Sequence, residues 1–197
     1  MLLAVVISGC TGANTIAPTT GSLPGLPTSA GLSSTTTSKS PAAAAPDYSR
    51  LLLTGPDLSD AEDTFSQRSS QSQPNGVAGA SAFFVNAKDD RAVTDTVLIY
   101  PDAAAATATL KQSAGTLTTA VAGGTPTPIA VGSDGVMISG TYPDQSKAVT
   151  LMFFTQGRAV VRLEFQSAPG DVATEKFVTD VAKMQQIALR VGLPTAE

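Results

Sequence analysis

The chain has 197 residues, 12 basic and 16 acidic side chains, a net charge of −4 and no histidine. That balance leaves no electrostatic footprint for nucleic acid. The missing imidazole removes the commonest general base and metal ligand.

The apolar run Leu2-Leu3-Ala4-Val5-Val6 leads into Ile7-Ser8-Gly9-Cys10, and Cys10 is the only cysteine of the chain. This arrangement resembles a bacterial lipobox, in which small residues fit the signal peptidase and the thiol receives a diacylglyceryl group. The run is shorter than the ~20 residues needed to span a bilayer and suits the h-region of a secretion signal. No Lys or Arg precedes Lys39, so residues 1–9 read as a truncated signal without its basic n-region. Lipidation also accounts for a lone thiol in an oxidising compartment, where it has no intramolecular partner. It withdraws Cys10 from thiolate catalysis and from Cys/His zinc sites.

Residues 10–48 are rich in Ser, Thr, Pro, Gly and Ala, as in Ser33-Ser34-Thr35-Thr36-Thr37-Ser38 and Ala42-Ala43-Ala44-Ala45-Pro46. Such a segment has little apolar surface with which to offset its ordering entropy and reads as a disordered tether. Residues 49–197 have the usual length of a single domain.

Within the domain, Asp57, Asp60, Glu62 and Asp63 form an acidic cluster. It reads either as a cation site or, in preference, as a carboxylate-rich helix start that complements the macrodipole, with a short helix expected around Asp60–Gln67. Val77–Ala87 and Val93–Tyr100 read as an antiparallel pair around the charged turn Lys88-Asp89-Asp90-Arg91. Gly79-Ala80-Ser81-Ala82-Phe83 lacks the second glycine of a nucleophile elbow and reads as core strand.

Pro101-Asp102 followed by four alanines predicts a helix capped by Asp102, with Leu110, Leu117 and Val121 facing inward and Gly123-Gly124 as its end. Gly132-Ser133-Asp134-Gly135 reads as a turn, since it lacks the P-loop lysine and EF-hand spacing. Ile129–Thr141 reads as a strand. Val149–Thr155 and Arg158–Gln166 form a hairpin around Gln156-Gly157. In its second arm Ala159, Val161, Leu163 and Phe165 alternate with a mostly polar set, Val160, Arg162, Glu164 and Gln166. Arg158, Arg162 and Glu164 are expected on a solvated face with a cross-strand ion pair.

The last helix is predicted from a cap at Asp171, a stripe of Phe177, Val181, Met184, Ala188 and Val191, and a stop at Gly192 and Pro194. The element order predicts an α+β domain: an antiparallel β-sheet with the two main helices packed on one face. Phe83-Phe84, Val97–Tyr100 and Leu151–Phe154 are apolar on both strand faces. Either both faces are covered or part of the second face lines a hydrophobic pocket.

The lipobox, the tether, Leu51-Leu52-Leu53-Thr54-Gly55-Pro56-Asp57-Leu58 and Tyr100-Pro101-Asp102 before an Ala-rich helix together resemble small actinobacterial, mycobacterial-type envelope lipoproteins. The globular part is similar to LpqN-type lipoproteins and to the extracytoplasmic sensor domains of some mycobacterial serine/threonine kinases. That resemblance implies an envelope-facing α+β domain, sometimes of the kind seen in Mog1- and PsbP-like proteins, with binding or scaffolding roles. Kinase sensor domains of this kind commonly carry disulfides, whereas residues 49–197 contain no cysteine. The one site residue that carries over is Cys10.

The expectation is therefore a lipid-anchored protein on the extracytoplasmic face of the cell membrane, with no catalytic residues, metal or cofactor. Its binding domain would take an envelope protein or an apolar lipid. A carrier with a true internal cavity is the alternative, and a hydrolase using Asp, Glu, Ser and Lys is a more distant one.

Overall fold

A computed structural model describes residues 46–193; the expected signal, Cys10 and nearly all of the tether lie outside them. Seven strands form one antiparallel sheet: β1 (Phe65–Ser72), β2 (Gly79–Asn86), β3 (Ala92–Ile99), β4 (Thr127–Pro128), β5 (Ser133–Thr141), β6 (Ala148–Gln156) and β7 (Ala159–Ser167). Their spatial order is β1-β2-β3-β7-β6-β5-β4. The chain enters through a 3₁₀ turn at Ser49–Leu51 and the short helix α1 (Gly55–Leu58), carries α2 (Ala103–Ala114) and α3 (Leu117–Ala120) after β3, and ends in α4 (Glu175–Gly192). The class is α+β.

The two hairpins follow the sequence pattern. β2 and β3 pair from Gly79↔Leu98 to Val85↔Ala92. β6 and β7 pair from Ala148↔Ser167 to Gln156↔Ala159, so the turn residues are Gly157 and Arg158, one position later than expected. Gly157 has φ +57°, which suits the first turn position of a hairpin whose twist must match its strands.

The helices divide between the sheet faces. Along β6, Met152 and Phe154 pack with α4 residues Val178, Val181, Ala182 and Leu189. Val149, Leu151 and Phe153 point the other way, against Leu110 of α2 and Leu117 of α3. A strand covered on both sides has no need of polar alternation, and eight of the nine β6 residues are buried. Placing α2 and α4 on one face is therefore corrected; the doubly apolar strands reflect cover on both sides.

Three further expectations change. The acidic segment holds no helix over residues 60–67: α1 lies earlier, and Phe65–Ser72 is an edge strand of which only Phe65 is buried. Asp57 alone serves a helix start, since Thr54 and Asp57 close a capping box. The Ala-rich helix is capped by Asp102, which accepts the Ala105 N–H at 2.8 Å. It stops at Ala114, and α3 continues only to Ala120.

The α4 stripe is rotated from its expected position. Val178, Val181, Ala182, Gln185 and Leu189 are its buried residues, while Ile187 and Val191 are 57% and 84% exposed. The cap is Thr174, not Asp171. Asp171 instead turns toward Arg91.

Candidate functional site

The N-terminal end of α4, the start of β1 and the adjoining ends of β3 and β7 enclose a cavity of about 200 Å³. Its floor is aromatic. Phe65 opens β1 opposite Asn86, Phe165 lies in β7 opposite Val93, and Phe177 comes from the first turn of α4. Phe177 stacks on Phe65 with centroids 6.3 Å apart and meets Phe165 edge-on at 5.7 Å. Both geometries are favourable for rings with a negative face and a positive rim.

The mouth is charged. Arg91 Nη1 donates to Asp63 Oδ2 at 2.9 Å, and its Nε and Nη2 hold Asp171 through three contacts of 2.9–3.1 Å. This fork joins the β2–β3 turn to the segment before α4, two parts of the chain 80 residues apart. Asn86 organises the turn: its Oδ1 accepts the N–H groups of Asp90 and Arg91, and its Nδ2 donates to Asp63 and Asp90.

Asp63 is 8% exposed, with Lys88 Nζ a further 3.4 Å away. Burial raises its carboxyl pKa, but the Asn86 hydrogen bond and the Lys88 and Arg91 charges outweigh burial and hold it below the usual value. The same carboxylates raise Arg91, the Asp171 hydrogen bonds most of all.

Asp60 and Glu62 complete the acidic side of the mouth. Asp60 Oδ1 accepts the N–H groups of Glu62 and Asp63, and those bonds, Asp63 first, lower its pKa. The acidic cluster thus disperses into a capping box, a loop brace and an ion pair. Among the described residues no group of three or more His, Cys, Asp or Glu is arranged to hold a metal ion.

The other sequence-level candidates resolve into structure. Ser81 sits inside β2, donating to the Asp95 carbonyl and sharing a 2.8 Å hydrogen bond with Thr96. Gly132-Ser133-Asp134-Gly135 forms the irregular start of β5, with positive φ at Gly132 and Asp134. Glu164 is not on a solvated face. It is buried, bonded to Tyr142, Gln166 and, within its own strand, Arg162.

No family model and no curated protein sequence matches the chain. The fold is similar to the crystal structure of the extracellular domain of PknH from Mycobacterium tuberculosis, with a TM-score of 0.52 and 12% identity. The match covers 73% of this chain and 95% of that one. At that identity the shared property is the fold, and it agrees with the resemblance to kinase extracytoplasmic sensor domains. Cys10 lies outside the described residues, as does the lipobox around it.

The pocket has no signature in the sequence read by period or motif. Phe65 heads a run of Ser and Gln, and Arg91, Phe165 and Asp171 belong to three separate segments. The one legible signal was the acidic cluster before β1.

Proposed function

We propose that this protein is an extracytoplasmic lipoprotein, attached to the membrane through Cys10, whose α+β domain binds a ligand or partner and catalyses no reaction. The observation that carries this reading is the likeness of fold to an extracellular domain across 95% of that domain. The sequence Ile7-Ser8-Gly9-Cys10 supports the anchor, because two acyl chains hold stably where one holds only marginally. Residues 11–48 then serve as a Ser/Thr/Pro/Ala-rich spacer. No helix of the described residues is long and apolar enough to cross a membrane.

The charged groups support binding over catalysis. A general base needs a raised pKa and access to substrate. Burial pushes Asp95 up to about 7, but that carboxyl is sealed beneath the sheet face. At the pocket mouth Asp63 and Asp60 are held low, which suits fixed charge. The cavity is also small for an apolar lipid carrier, since sites for drug-sized ligands occupy roughly 300–1,000 Å³.

The test is metabolic labelling. Expressed in an actinobacterial host behind a complete signal sequence, the protein should incorporate labelled palmitate and enter the detergent phase. Cys10→Ala should abolish the label and release the protein. Undiminished membrane retention of Cys10→Ala would overturn the anchor.

A further inference from the structure

We propose that the cavity at the start of α4 is a binding site for a small organic cation, its apolar body on the Phe65–Phe165–Phe177 floor and its ammonium at the Asp60 and Glu62 carboxylates. The inference rests on reading the domain as a binding module and names the ligand class for its pocket.

The charge argument comes first. Four carboxylates and one guanidinium line the cavity. Every nitrogen of Arg91 is committed, to Asp63 through one arm and to Asp171 through the rest of the fork. An anionic guest would have to displace a carboxylate from Arg91 while facing the others. Asp60 and Glu62, by contrast, have no cationic side chain paired with them among the described residues. Asp60 Oδ1 is taken by the Glu62 and Asp63 N–H groups, and Arg91 and Lys88 act on Asp60 only through space, so Asp60 Oδ2 and the Glu62 carboxylate remain as acceptors for a cation. The start of α4 does not invert this balance, because Thr174 caps it and Glu175 sits in its first turn.

The floor supplies the other half. A bare metal ion has no hydrocarbon to bury on three phenyl rings, whereas an organic cation gains burial of its apolar body there. Phe177 is half-buried and lines the cavity. A volume of about 200 Å³ suits a single ring with a short arm.

The experiment is calorimetric titration of the full chain with phenethylammonium at low salt, with phenethyl alcohol and phenylacetate as neutral and anionic analogues of the same body. Saturable binding of the amine is expected, with the alcohol and the acid each weaker by at least about tenfold. Glu62→Gln should weaken amine binding by a similar factor, and Phe177→Leu should weaken it while keeping an apolar side chain. Retained thermal melting of each variant confirms that the fold is intact. Equal binding of the alcohol or the acid, indifference to Glu62→Gln, or no saturation through millimolar amine would each overturn the proposal. Palmitate labelling reads the anchor separately, so either result stands when the other fails.

Discussion

The backbone N–H of Leu53 donates to Asp95 Oδ2 at 3.0 Å, and among the described residues this is the one hydrogen bond of a fully buried carboxyl in the middle of an apolar sheet face. Asp95 lies opposite Ala82 on β2 and Leu163 on β7, and its Oδ1 has no partner among the described residues. A second strut runs beside it, from Gln185 Nε2 on α4 to the Leu51 carbonyl at 2.8 Å. The entering segment is thereby clasped from both the sheet and the last helix, with Leu51 and Leu53 buried between them.

Asp95 makes stability depend on pH. Burial raises its pKa from 3.8 to about 7, against the smaller opposing effect of the Leu53 N–H. The folded state therefore holds a proton that the unfolded chain has lost, and stability rises as pH falls from above 7 toward 4. Between pH 8 and pH 5 the gain from this group is on the order of 2–3 kcal/mol. Urea denaturation at those two values should show it. Asp95→Asn keeps an acceptor for Leu53, and it should flatten the slope and be the more stable form at pH 8. A variant with the wild-type slope would place the titration elsewhere.

Asp63 has the opposite sign. Its lowered pKa contributes stability that is present above the ordinary carboxylate value of 3.8 and lost as pH falls below it. Arg91→Ala removes the cation from a nearly buried carboxylate and should cost about 1–3 kcal/mol at pH 7. The difference from wild type should shrink toward pH 2, as protonation of Asp63 removes the charge that Arg91 pairs. Denaturation curves at the two pH values decide the matter, and a pH-independent difference would count against the pairing.

The face of α4 is open to direct measurement. Leu189→Ala, at a buried position, should cost roughly 2–5 kcal/mol through lost transfer energy and a cavity. Val191→Ala, at a position 84% exposed, should change stability by less than about 0.5 kcal/mol. Equal effects of the two would mean that the helix is seated on a different face.

The clasp sets where truncation is tolerated. Removal of residues 11–45 should leave the melting temperature nearly unchanged. Extending the deletion through Leu53 removes two buried leucines, each worth about 1.5–3 kcal/mol on burial, together with the partners of Asp95 and Gln185. That longer deletion should melt many degrees earlier. Circular dichroism melting of the two forms tests both statements.

The sequence by itself determined what depends on neighbours along the chain. The Asp102 cap, the glycine turn at Gly157, the alternation of Ala159, Val161, Leu163 and Phe165, and the period that makes Glu175–Gly192 a helix are short-range signals. So is the tetrapeptide ending in Cys10, on which the proposed anchor stands. Only the tertiary structure decided which side of α4 is buried. Two apolar stripes compete on that helix, and the sheet and the Leu51–Leu53 segment cover the one carrying Val178, Val181 and Leu189. It alone also placed α2 and α4 on opposite faces and made a strand of Phe65–Ser72, whose polar side chains show no apolar period because the strand takes its hydrogen bonds from β2. The pocket is the extreme case. Its floor joins Phe65 to Phe177 and its mouth joins Arg91 to Asp171, and contacts between residues so far apart in sequence arise only when an antiparallel sheet brings their strands and turns to one end.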